Sequence, residues 1–168
     1  MNSHGLLLVA HGSKDPEWTI PFKAIEDFVK GEFAGPTALA YLESVSPQIE
    51  QGVSQLTASG VTTITVAPLF FAVGSHVRKD IPRLIQEAAS RYSGVTFNIL
   101  PAVGQIPVIQ RLISREIVSQ ASADLIPNLQ QASEEISIAA QLRAEHVKSA
   151  ANLGFRSIIC NRPPPVPE

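Results

Sequence analysis

Gly5-Leu-Leu-Leu-Val-Ala-His-Gly-Ser-Lys-Asp-Pro16 is the stretch that decides the fold. Gly5 to Ala10 is a continuous apolar run rather than an alternating one. Continuous hydrophobicity predicts a strand buried on both faces, as in a parallel sheet. His11-Gly12-Ser13 ends the run as a turn. Asp15-Pro16 then supplies an N-cap followed by proline at the first helical position. Phe22, Ile25 and Val29 follow at helical spacing, and the helix is expected to end near Gly31 to Gly35.

The same order recurs along the chain. Thr37 to Leu42 reads as a second strand that ends at Glu43. Ser46-Pro47 reads as another N-cap with first-turn proline, Ile49, Val53 and Leu56 as an apolar stripe, and Gly60 as a C-cap. Val61 to Val66 is rich in β-branched residues and predicts a third strand running into Ala67 to Phe71. After Gly74-Ser75-His76, the stripe Ile81, Leu84, Ile85, Ala88, Ala89 and Tyr92 marks a third, amphipathic helix. Val95 to Leu100 predicts a fourth strand, and Ile106 to Val118 a fourth helix. Four alternations predict an α/β domain over residues 1–122, a four-stranded parallel sheet flanked by helices. Ligands of such sheets bind at the carboxyl ends of the strands.

Residues 123–135 are rich in Gln, Ser and Ala and read as a linker or helix extension. Residues 136–162 read as a short βαβ-like appendage: a weak strand over Ile136 to Leu142, a helix over Arg143 to Leu153, and a strand over Arg156 to Cys160. That piece is too small to bury a core alone. Pro163, Pro164, Pro165 and Pro167 make residues 163–168 a tail unable to form a packed helix or a paired strand.

Composition narrows the function. Of 168 residues, 45% are hydrophobic and 17% charged, which is ordinary for a globular chain. Lys+Arg 13 against Asp+Glu 15 gives a net charge of −2, so no general basic face points to nucleic acid. The lone Cys160 makes neither an internal disulfide nor a zinc cluster. The apolar run near the N-terminus lacks a preceding basic region and is too short for a signal peptide or membrane span, so a cytoplasmic location is expected.

Three polar residues fall on the predicted carboxyl-end rim: His11 after strand one, Glu43 after strand two, and His76 in the loop between strand three and helix three. Two imidazoles and a carboxylate form a divalent-metal set suited to borderline ions such as Fe(II), Co(II), Ni(II) or Zn(II). Each also has a plain structural reading. His11 is then a loop residue bonded to backbone, Glu43 a carboxylate near the next helix N-terminus, and His76 a first-turn residue. Convergence on one rim favours the joint reading. His4 and His146 lack that placement and read as structural or solvent residues. Gly12, Ser13, Gly74 and Ser75 allow close backbone approach to a flat or bulky ligand. Lys14, Arg78 and Lys79 stand ready for a polyanion beside the metal site, or are simply solvated charges. There is no Gly-x-Gly-x-x-Gly and no Gly-Lys-Ser/Thr loop, so the familiar nucleotide sites are unsupported.

Leu7 to Pro16, Ala40-Tyr-Leu-Glu43, and Val66 to His76 followed by Asp80-Ile-Pro82 form three ordered blocks. Together they resemble the CbiX/SirB family of sirohydrochlorin chelatases, over residues 5 to 120. The resemblance implies a lyase that inserts Co(II) or Fe(II) into sirohydrochlorin on the way to cobalamin or sirohaem, with Ni(II) used by a related archaeal branch. It implies the small, single-lobe form working as a homodimer, with the tetrapyrrole as partner, the divalent metal as substrate and no organic cofactor. His11 and His76 match the family's metal-handling histidines and Glu43 its acidic partner. Ser13, Lys14, Gly74, Ser75, Arg78 and Lys79 become the expected substrate-binding set. Neutral imidazoles hold a metal weakly and accept protons, so metal binding is expected to strengthen as the histidines deprotonate.

Ile138 through Pro163 resembles the opening of a DUF442 phosphatase-like domain. The phosphate-binding loop of Cys, five residues and Arg is missing, because Arg162 follows Cys160 after one intervening residue and prolines come next. No phosphatase activity is expected. The fragment is open to reading as a packed element, a remnant or a truncated frame. Two other functions compete with the chelatase: a metal- or tetrapyrrole-binding protein without turnover, and an unrelated α/β hydrolase. The last lacks a Gly-x-Ser-x-Gly elbow.

Overall fold

The computed structural model describes residues 3–72, 74–121, 130–133, 136–139 and 142–159. The chain forms two compact units, Met1–Gln110 and Arg111–Glu168. The first carries β1 (His4–Ala10), a 3-10 turn (Pro16–Thr19), α1 (Ile20–Glu32), β2 (Thr37–Tyr41) and α2 (Ile49–Ala58). It continues with β3 (Thr63–Pro68), α3 (Ser75–Arg91), β4 (Thr96–Ile99), a second 3-10 turn (Val103–Gln105) and the start of α4 (Pro107–Ala121).

The four strands form one parallel sheet in the order β2-β1-β3-β4, as the continuous apolar runs predict. Leu8 stands opposite Leu39 on one side and Ala67 on the other. The chain runs outward from β1 to β2 and then crosses back to β3. This reversal places the topological switch point between β1 and β3, where ligand crevices of open α/β sheets lie.

Both faces of β1 are buried, and its side chains alternate between two cores. Leu7 and Val9 join Ala38, Ala40, Ile64 and Val66 against α2 (Ile49, Val53, Leu56) and α3 (Ile81, Ile85, Ala88). Leu8 and Ala10 join Leu39 and Tyr41 on the other face, covered by Trp18, Phe22 and Val29. Each fully buried aliphatic side chain contributes about 1.5–3 kcal/mol relative to exposure. The predicted amphipathic stripe of α3 is therefore the one that packs.

Asp15 caps the turn before α1 as expected, its side chain accepting from the Glu17 N–H at 3.0 Å. Ser46-Pro47 departs from expectation. The Tyr41 N–H donates to the Pro47 carbonyl at 2.8 Å, and Gln48 bridges Tyr41 in parallel. The segment is thereby held along the end of β2. Gln48 becomes the N-cap of α2, with Gln51 accepting from its N–H at 2.8 Å. Helix α4 runs on to Ala121, past the expected end at Val118.

In the second unit, β5 (Gln130–Gln131) pairs antiparallel with β6 (Ser137–Ile138), and α5 spans Ala144–Asn152. The expected βαβ-like appendage is not formed, because residues 155–159 adopt neither helix nor strand. A parallel strand there needs a ladder to join, and β6 offers one of only two residues. Cys160, the proline tail and most of the expected linker lie outside the described residues. Among the described residues no helix is long and apolar enough to cross a membrane.

Leu7 is fully buried beneath α2 and α3. Leu7→Ala should destabilise the fold by about 2–5 kcal/mol. The loss is read as a lower urea midpoint at unchanged slope.

Candidate functional site

The sheet's hydrogen-bond ladder continues past the strand ends and builds the site. The Leu42 N–H donates to the Ala10 carbonyl at 2.9 Å, and the Glu43 N–H to the His11 carbonyl at 3.0 Å. The turns that follow β1 and β2 are thus joined backbone to backbone. Gly12 has φ +101°, and a Cβ there would overlap the Glu43 carbonyl oxygen. Only glycine allows the two turns to lie this close.

This backbone brings the side chains of His11 and Glu43 together, with His11 Nδ1 3.4 Å from Glu43 Oε1. The two side chains are 49% and 62% exposed, so the pair is open to an incoming ligand. The imidazole also meets the ring of Phe70 edge-on, at 6.2 Å between centroids. Phe70 is buried, and its carbonyl accepts from the Gly104 N–H at 3.0 Å. A Cβ on Gly104 would run into the backbone of Phe71, so this loop closes tightly behind the ring. An imidazole and a carboxylate held side by side are two donors for a divalent cation and two acceptors for protons.

His76 is placed differently from expectation. Helix α3 begins at Ser75 with Gly74 as its N-cap, so His76 belongs to the first helical turn and not to a loop. The Arg78 N–H donates to the Gly74 carbonyl at 3.1 Å, which closes that turn. The helix starts early because the glycine supplies the extended N-cap, and no residue of Ser75 to Ile81 breaks the helix. The side chains of Ser75 and His76 lie outside the described residues. Arg78 and Lys79 are exposed on the opening turns of α3. Among the described residues no group of three His, Cys, Asp or Glu could hold a metal. The described part of the expected set is the His11–Glu43 pair.

The other histidines are engaged in structure, as expected. His4 Nε2 lies 2.7 Å from Thr65 Oγ1 at the amino end of β1, and its ring meets Phe33 edge-on. His146 Nδ1 accepts from the Arg143 N–H at 2.9 Å at the start of α5.

A cavity of about 530 Å³ opens beside the pair, between α1 and β2. Ser13 and Lys14 of the expected substrate set line it. So do Lys23, Glu26 and Tyr41, which sequence reasoning did not single out as site residues. Tyr41 is 2% exposed, and its hydroxyl has no hydrogen-bond partner among the described residues. Burial pushes the Tyr41 pKa up, and the nearby Glu26 carboxylate pushes it further, so the phenol stays neutral at physiological pH. The signal for Tyr41 was present: it is a polar atom inside an apolar run that is buried on both faces.

Comparisons with known proteins bear on the family and the fold. A family model described as CbiX matches residues 5–120. A Saccharolobus solfataricus protein named sirohydrochlorin cobaltochelatase is 41% identical over 95 residues, covering 54% of this chain and 73% of that relative. A Sulfurisphaera tokodaii protein of the same name is 31% identical over 114 residues, covering 68% of this chain and 91% of that relative. The solved CbiX protein of Marinobacter aquaeolei VT8 superposes with TM-score 0.66 at 30% identity, covering 72% of this chain and 97% of that one. Bacillus subtilis SirB in complex with cobalt gives TM-score 0.59 at 27% identity, over 74% of this chain and 50% of that one.

Gly12 and Gly60 both have positive φ, but only Gly12 faces backbone where a Cβ would sit. Gly12→Ala should lower stability by about 1–3 kcal/mol. Gly60→Ala should cost less, because nothing lies within 4 Å of its added methyl. Thermal unfolding of the two variants checks the ranking, and equal losses would contradict the close approach described above.

Proposed function

The chain belongs to the CbiX family, and from that membership we propose that it inserts a divalent metal, Co(II) or Fe(II), into sirohydrochlorin. The observation that carries this reading is the exposed His11–Glu43 pair, 3.4 Å apart beside the switch point of the sheet. Metal insertion exchanges two pyrrole N–H protons for one divalent ion. His11 holds the arriving metal through a ring nitrogen and accepts a proton as the metal moves on. Glu43 steadies the imidazole, balances the positive charge and takes the second proton. His76, in the first turn of α3, completes this set in our reading.

The substrate carries several carboxylates. Lys14, Arg78 and Lys79 hold them by charge, while Ser13, Gly74 and Ser75 leave room for the macrocycle. The metal is a substrate, with Ni(II) a further candidate, and no organic cofactor takes part. The product serves cobalamin or sirohaem synthesis in the cytoplasm. We read residues 136–162 as similar to the opening of a phosphatase-like domain, in which Cys160-Asn161-Arg162 does not spell that family's phosphate loop.

We also read the chain as a homodimer. Helix α4 leaves Leu112, Ile113, Ile117 and Val118 exposed, an apolar face suited to association. Sedimentation equilibrium should give a mass of two chains, and a monomer at micromolar concentration would refute the dimer.

The activity is tested by mixing the purified protein with sirohydrochlorin and Co(II), Fe(II) or Ni(II) separately and following the absorbance change. The wild type should exceed the spontaneous rate with at least one metal. His11→Ala, Glu43→Gln and His76→Ala should each lower that rate about 100-fold or more, the usual scale for a positioned proton acceptor. A wild type that binds sirohydrochlorin without exceeding the spontaneous rate would make it a binding protein.

A further inference from the structure

The cavity between α1 and β2 has the chemistry of a site rather than of a packing defect. One wall is β2, which contributes Leu39 and Tyr41. The opposite wall is the turn and helix after β1, where Thr19, Lys23 and Glu26 fall on one helical face. Lys14, on the turn that carries His11, also lines the cavity. Among the described residues neither Lys14 nor Lys23 has an acidic partner, and both are exposed at the mouth.

Tyr41 is the unusual member. Its hydroxyl oxygen is buried, and no described group donates to it or accepts from it. A buried hydroxyl without a partner is destabilising, and native structures keep few of them. Glu26 is the nearby acceptor by charge, but its Oε1 already accepts from the Leu39 N–H at 3.2 Å and meets Lys30 Nζ at 2.8 Å. That ammonium offsets the Glu26 charge, so the two remaining lysines leave the cavity net positive. The unmet group is a neutral O–H donor on a residue that lines the same cavity as two lysines. Its complement is an anion with hydrogen-bond acceptors on a flexible stem.

We propose that this cavity is a carboxylate subsite, in which the Tyr41 hydroxyl and the Lys23 and Lys14 ammonium groups hold one carboxylate arm. Resting on the tetrapyrrole reading above, it takes a peripheral arm of sirohydrochlorin and so fixes the macrocycle relative to His11. A free organic acid offers the same chemistry, and the experiment separates the two sources.

Metal-free sirohydrochlorin is titrated into the wild type, Tyr41→Phe and Lys23→Met, with binding followed by absorbance. Each variant should bind about tenfold more weakly, the worth of one hydrogen bond to a charged acceptor. Ligand-free Tyr41→Phe should melt no lower than the wild type, because the hydroxyl it loses has no partner in the fold. A lower melting point would mean that the hydroxyl serves structure, and would overturn the proposal. In a parallel arm, glutarate is added to the same three proteins and the melting shift recorded. A glutarate shift that needs Tyr41, with sirohydrochlorin affinity unchanged in both variants, assigns the subsite to a free acid instead of the macrocycle. Unchanged sirohydrochlorin affinity with no glutarate shift overturns the subsite. A wild type that does not bind sirohydrochlorin at all refutes the chelatase reading, and the glutarate arm then decides the cavity alone.

Discussion

The parallel register of β1 between β2 and β3 is the constraint on which the rest of the molecule depends. Both edges of β1 are hydrogen-bonded and both faces are covered, so the strand cannot shift without cost on four sides. A slip by one residue would exchange the side chains of the two cores, driving Leu7 and Val9 away from α2 and α3. Because the strands are parallel, their carboxyl ends fall on one rim. The ladder then runs one step further, through Glu43 N–H to the His11 carbonyl, and fixes the turns as firmly as the strands. Two side chains from distant parts of the sequence meet there because of backbone bonds and not because they attract each other strongly.

The sheet was legible because its information is local. Gly5 to Ala10 and Thr37 to Leu42 are apolar with almost no alternation, as strands covered on both faces are, while Val61 to Val66 is marked by its β-branched residues and β3 is buried at alternate positions. The α3 stripe was legible for the same reason: Ile81, Ile85 and Ala88 are the residues that pack. Ser46-Pro47 misled because its cap signature is local while its actual partner, the Tyr41 N–H, is not. Arg156 to Cys160 misled because strand propensity does not supply a strand to pair with. Among the described residues the appendage has only the two-residue ladder of β5 and β6, too short to template a further strand.

The site was half legible for a related reason. His11 and Glu43 could be placed on one rim from strand order alone, since any parallel sheet aligns its carboxyl ends. The role of Gly12 needed φ and the nearness of the Glu43 carbonyl, which no local pattern carries. Phe70 and Gly104 belong to the loops after β3 and β4, so the Phe70 contact with the imidazole and the Gly104 bond behind it are purely tertiary. His76 shows the limit of boundary reading. A residue just after Gly-Ser reads equally well as loop or first turn, and one N-cap decides it.

The pair and the cavity differ in solvent exposure, and the difference suits the tasks proposed for them. A metal that must be handed on gains from donors that water can reach, because an open position lets one ligand replace another. His11 and Glu43, half-exposed or more, are donors of that kind. An arm that must stay still gains from the opposite setting. A hydrogen bond to the buried Tyr41 hydroxyl forms in a lower dielectric and is worth more than one at the surface. The near-zero net charge of the chain does not weaken this attraction. At physiological salt, charges beyond about 8 Å are largely screened. The anion therefore feels Lys14 and Lys23 at the cavity mouth far more than the acidic residues elsewhere on the surface.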